Sequence, residues 1–237
     1  MIGIRIVRAA GAAVLAGASA LALAVGTAQA APGAPDPPTG EGTLHGNPAA
    51  AAPFWRYQQY DDDCVEMSVA DVVGELTGRQ PSEQAIVRVA QTTPSTVHPG
   101  PIYTKPKKRK PGSGTSFEDE PALLAHYGIH AVDTDTESAA KTGVPTGMRA
   151  LEQDLVTGRK VIAAINAEII WREPVEDKSP DGEPESNHAV VVTGVDTAVG
   201  VVHLNDSGSE DGRDEQVPVD LFIRSWATSD DEMTVTG

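Results

Sequence analysis

Beyond residue 60, helical periodicity comes first and β-forming runs come last, and that order decides the fold class. In 63–77, Val65, Val69, Val72, Val73 and Leu76 fall on one helical face, and Gly78 ends the run. Asp63 and Glu66 have the spacing of a capping box at the start of that helix. Ser82 opens a second, short helix with Ile86 and Val89. Residues 117–127 read as a third helix closed by Gly128, with a short strand at 129–132, and 148–156 as an amphipathic helix closed by Gly158. Residues 160–170, with Val161, Ile162, Ile165, Ile169 and Ile170, predict one buried strand. A hairpin is predicted from 188–195 and 199–204 around Asp196-Thr197-Ala198, then a helix over 219–226 and a last strand over 232–236. Helices followed by antiparallel strands predict an α+β fold, not a doubly wound sheet.

The first 53 residues read differently. Arg5 and Arg8 precede a small-residue apolar run over 9–25, and Ala28-Gln29-Ala30 is an A-x-A cleavage site. Residues 1–30 therefore read as a cleavable secretory signal peptide. Its removal takes two arginines and changes the formal net charge from -16 to -18. No later stretch is long and apolar enough to insert stably into a membrane. Residues 31–53 are rich in Ala, Pro and Gly and predict a disordered linker, so the folded domain is expected over 54–237.

Charge and cysteine content narrow the chemistry. With 18 basic against 34 acidic side chains, the chain is a poor nucleic-acid ligand, because phosphates repel it. One cysteine allows no intrachain disulfide and no multi-cysteine metal site. No Gly-rich phosphate loop or dinucleotide fingerprint appears, so neither a cofactor nor a metal is expected.

A lone thiol in an exported protein is exposed to oxidation, yet Cys64 stands at a helix start, where the helix dipole favours a thiolate. A nucleophilic cysteine needs a base, a group to orient that base, and donors for the oxyanion. His188 opens the run Ala189-Val190-Val191-Val192, and Asp206 follows the next strand, so a hairpin brings the two together. Gln58 lies six residues before Cys64, where its amide joins the Cys64 backbone N–H as a donor. His203 is the rival base, and Gln59 the alternative donor.

These segments resemble a known family. Gln58 with Cys64, the run 187–192, Leu204-Asn205-Asp206-Ser207-Gly208, the helix and strand around 123–129, and the tail 217–226 follow the chain order of the papain-like cysteine peptidases. The resemblance is to the double-glycine, bacteriocin-processing family 39 and its secreted 39-like relatives, and it covers 57–236. It implies a papain-like fold, with helices carrying the cysteine packed on an antiparallel sheet carrying His and Asp. It further implies Cys64 as nucleophile, His188 as base, Asp206 as orienter and Gln58 as oxyanion donor, acting on a peptide or protein substrate; the chain itself is expected to be a monomer. The family's Asp-Cys-Gly-Pro departs here to Asp63-Cys64-Val65-Glu66, and three acids (Asp61, Asp62 and Asp63) crowd the thiol. Two further readings stay open: an inactive papain-fold binding module, and a transglutaminase-like acyl transferase.

Other charged segments read as surface. The acidic stretch 210–215 lacks calcium-loop spacing and predicts a solvated turn. The basic run 105–110 predicts a solvated loop, as does the acidic stretch 172–187. Trp171 is placed either in the core or on the wall of a cleft.

Overall fold

The computed structural model describes residues 42–106 and 114–237. The predicted signal segment and the basic side chains at 107–110 lie outside the described residues. Every strand pairing is antiparallel. The central strands are β3 (Val161–Ile165) and β4 (His188–Asp196), and β5 (Val201–Asn205) and β6 (Glu215–Pro218) extend the sheet on one side. On the other side lie β7 (Met233–Thr236) and β2 (Ala131–Thr134).

Residues on β3 and β4 are buried on both faces of the sheet, which is why both read as continuous apolar runs. Ile162, Ala189 and Val191 face α2 (Cys64–Thr77), α3 (Glu83–Ala90) and α4 (Glu120–His126). Val161, Ala163, Ile165, Val190 and Val192 face α6 (Met148–Val156) and α8 (Val219–Trp226). The register pairs Ile162 with Val191 and Ala163 with Val190. Two cores thus share one sheet, in the α+β arrangement that the order of patterns implies.

Local chemistry fixes the ends. Gly78 closes α2 in the left-handed conformation at φ 69°. The Ser82 side chain accepts the Ala85 N–H and caps α3. A short α5 (Ala139–Thr142), unread in the sequence, ends the same way at Gly143.

Three expectations are corrected. Residues 42–53 do not form a disordered linker: β1 (Leu44–Gly46) pairs with the far end of β4, and α1 (Pro48–Ala51) follows. Backbone pairing needs no large side chains, and Asn47 caps the short helix with Pro48 at its first position. The apolar run 160–170 is not one strand. Asn166 breaks it, because its side chain accepts the Ile169 N–H and starts α7 (Ala167–Trp171). Asp63 and Glu66 form no capping box: Asp63 makes no side-chain cap, and Glu66 is buried with an oxygen on the Thr115 hydroxyl.

Candidate active site

Secondary structure sets three side chains around one point. Cys64 is the first residue of α2, His188 the first of β4, and Asp206 follows the last residue of β5. The Ser68 hydroxyl, one turn along α2, donates to the Ala189 carbonyl at 3.0 Å and pins the cysteine helix beside the histidine strand. Asn205 Nδ2 donates to the Ala51 carbonyl and to Asp71 Oδ2, which fixes the strand end that precedes Asp206.

His188 Nε2 and Asp206 Oδ1 are 2.6 Å apart, and both side chains are buried. The Cys64 side chain is near enough to the same imidazole to act on its charge. With Nε2 held by Asp206, Nδ1 is the nitrogen left for the thiol. Burial opposes charge on the ring, but the Asp206 carboxylate and then Cys64 outweigh it and raise His188 to about 10. Burial likewise works against the Asp206 carboxylate. The His188 charge and donors from His188, Trp171 and Gly208 prevail and hold it below the usual carboxylate range.

Trp171 belongs to this site. Its indole N–H donates to Asp206 Oδ2 at 2.8 Å, and its ring lies 5.5 Å from the His188 ring, tilted by 58°. Asp206 also accepts the Gly208 N–H at 2.7 Å, and its carbonyl accepts the Trp55 indole N–H at 2.6 Å. Among the acceptor contacts of Asp206, only the one with His188 was expected from the sequence. The cap at Asn166 was the signal that α7 would carry Trp171 to this point.

Gln58 sits beside the dyad. Its backbone N–H donates to the Ser207 carbonyl, its side-chain oxygen accepts the Ser207 hydroxyl at 2.9 Å, and its Nε2 donates to the Tyr60 carbonyl at 2.8 Å. One hydrogen of that amide remains for another acceptor. The structure brings Cys64, His188 and Asp206 together, with Gln58 held on the loop that follows Asp206. His203 is elsewhere engaged, with Nδ1 2.7 Å from Asp214 Oδ1. The Gln59 backbone N–H donates to Glu83, and its side chain lines a cavity of about 290 Å³ with Arg56, Tyr57 and Glu83.

Gly208 is required by space. A Cβ there would lie 2.9 Å from both His188 Cε1 and Trp171 Cζ2. Gly208→Ala is expected to push the imidazole off Asp206 and to destabilise the fold by about 1–3 kcal/mol, the cost of an overpacked side chain. Imidazole NMR is expected to show His188 titrating closer to its ordinary range. An unmoved titration would show that the ring is not held by this packing.

The fold is that of the C39-like peptidases. A candidate C39-like peptidase from Bacillus anthracis, solved by crystallography, superposes with a TM-score of 0.56 at 18% identity, over 84% of this chain and 98% of its own. No protein-family model matches the chain. The uncharacterized protein Rv1268c of Mycobacterium tuberculosis and the uncharacterized protein Mb1299c of Mycobacterium bovis are each 61% identical over 198 residues, 82% of this chain and 85% of theirs. The chain belongs to one family with these mycobacterial proteins.

Proposed function

We propose that this protein is an exported cysteine peptidase, a thiol hydrolase that cuts a peptide or amide bond through an acyl-enzyme. The carrying observation is the buried His188–Asp206 contact at 2.6 Å with the Cys64 side chain beside the same ring. The Cys64 sulfur attacks the substrate carbonyl carbon, and its proton resides on His188. The resulting oxyanion accepts the Cys64 backbone N–H and the remaining hydrogen of Gln58 Nε2. The imidazolium gives its proton to the leaving amine as the carbon–nitrogen bond breaks, and a thioester remains. Water then loses a proton to His188, attacks the thioester and releases the acid, returning the thiol. Asp206 keeps the ring oriented throughout, and Trp171 and Gly208 keep Asp206 in place.

Export rests on the segment 1–30, with cleavage after Ala30. N-terminal sequencing of culture-supernatant protein tests it, and a secreted product that retains Met1 would overturn it. Among the described residues, no helix is long and apolar enough to cross a membrane.

A thiol-reactive peptide probe tests the chemistry. It is expected to label the wild-type chain and to leave Cys64→Ala unlabelled. Gln58→Ala is expected to leave simple alkylation unchanged, since no oxyanion forms, while turnover of a cleaved peptide drops about 10²–10³-fold. Equal turnover in Gln58→Ala and wild type would remove Gln58 from the mechanism.

A further inference from the structure

Asp63, the residue before Cys64, is fully buried, and no donor reaches either of its carboxyl oxygens. One oxygen each of Asp62 and Glu66 is buried and equally without a donor. Carboxylates in that state need a cation or a proton. Among the described residues, no three acidic, histidine or cysteine side chains converge as metal ligands. The Asp63 carboxyl does lie within hydrogen-bonding reach of the Glu83 carboxyl. Two carboxyl groups form that bond only when one of them carries a proton.

Glu83 is well placed to act on the site. It is the first residue of α3, and its Oε1 accepts the Gln59 N–H at 2.8 Å. One side chain therefore holds the residue after Gln58 and the residue before Cys64. We propose that Asp63 and Glu83 form a proton-dependent latch that holds the segment from Gln58 to Cys64 against α3, so that loss of the shared proton frees the oxyanion donor from its register with the thiol. The effect on turnover rests on the peptidase reading; the latch itself does not.

Every group facing the pair leaves it with this proton. Asp62 and Glu66 add negative charge from the segment that carries Asp63. The Tyr103 phenol, from the neighbouring 101–106 segment, donates to Asp62 Oδ1 at 2.8 Å. Arg56 lines the same cavity as Glu83; one of its terminal nitrogens donates to the Pro81 carbonyl, and its charge bears on Asp71. Lys105 lies over the Tyr60 ring, 4.1 Å from its centroid. Burial first, then the bond with Glu83 and the charges of Glu83, Glu66 and Asp62, push Asp63 up to about 8, so the latch is closed at neutral pH.

Carbon-detected NMR of the side-chain carboxyls, on the full chain, tests the latch directly. Asp63 is expected to stay protonated at pH 7 and to lose its proton near the value its surroundings set. In Asp63→Asn the amide donates to Glu83 permanently, so this transition is expected to vanish. Peptide turnover by the wild type is expected to fall about tenfold per pH unit above the transition, as the protonated fraction falls. Asp63→Asn is expected to hold its rate there. Glu83→Gln, which donates in the opposite direction, serves as the second variant and is expected to behave alike. An Asp63 carboxyl already ionised at pH 7 overturns the latch whatever the turnover does. The same alkaline fall in wild type and both amide variants overturns its link to catalysis. A protonated Asp63 in a chain that cleaves no peptide upholds the latch and overturns the peptidase reading alone.

Discussion

Iodoacetamide is expected to alkylate Cys64 well below the pH at which an ordinary thiol stops reacting, and His188→Ala is expected to abolish that low-pH limb. An unperturbed thiol is well under 1% ionised at pH 6, so the variant is expected to react about 100-fold more slowly there. The reason lies in the charge state of the ring. Burial alone would discharge His188, yet Asp206 and Cys64 hold its proton to about 10. Across the whole neutral range the ring therefore keeps its proton beside the sulfur. Asp206→Ala is expected to act from the other end. It removes the larger of the two favourable charges and leaves the Trp171 and Gly208 N–H groups without their acceptor. The ring then loses its proton at lower pH, and the reactive window narrows from the alkaline side. If wild type and His188→Ala alkylate with the same pH profile, no ion pair exists, and a binding role for the fold would replace the hydrolytic one.

The parts of this site that the sequence displays are those governed by local rules. Cys64 falls at the helix start set by the apolar spacing of Val65, Val69, Val72 and Val73. His188 falls at the edge of an apolar run that is buried on both faces of the sheet. The hairpin that joins β4 to β5 then brings Asp206 within reach of His188 at 2.6 Å. The parts that stayed hidden depend on long-range partners. Residues 44–46 carry little apolar surface, and their strand exists because β4 offers a free edge beyond the end of β3. Trp171 follows directly on what reads as an unbroken β-run over 160–170, and only the polar Asn166 betrays the helix that turns its indole toward Asp206. Asp63 has the spacing of a cap. Its carboxyl turns instead to Glu83, 20 residues on in the chain, a choice that no local pattern encodes.

The same buried acids predict an unusual stability profile: the folded state is expected to be most stable near pH 4–5 and to lose stability as the pH rises toward 8. Burial raises Asp63 to about 8 and Asp71 to about 8, with the Glu75 charge adding to the latter. Burial raises Glu66 to about 7 and Glu232 to about 8, the second helped by Asp133. Fully buried Glu120 is raised as well. In each case the native state keeps a proton that the unfolded chain gives up near pH 4, so the unfolded state binds fewer protons across the interval between. Stability is then fully present below the unfolded value and lost as the pH climbs through the folded one. His188 pulls in the same direction higher up, since its folded value of about 10 exceeds the ordinary 6.5. Asp206 opposes at the acid end, because its lowered value makes the His188 contact fail as the pH drops below the ordinary carboxylate range. Self-repulsion in a chain of formal net charge -16 adds to the alkaline loss. Thermal unfolding followed from pH 4 to pH 9 is expected to show Tm falling between pH 5 and pH 8 by at least ~5 °C, the shift that about 2 kcal/mol produces in a domain of this size. Asp71→Asn is expected to flatten part of that slope, because it has no proton to lose, while its one remaining oxygen still accepts from Gln80 or Asn205. A Tm that climbs from pH 5 to pH 8 would mean that these carboxyls are ionised in the fold, and the proton on Asp63 would be gone with them.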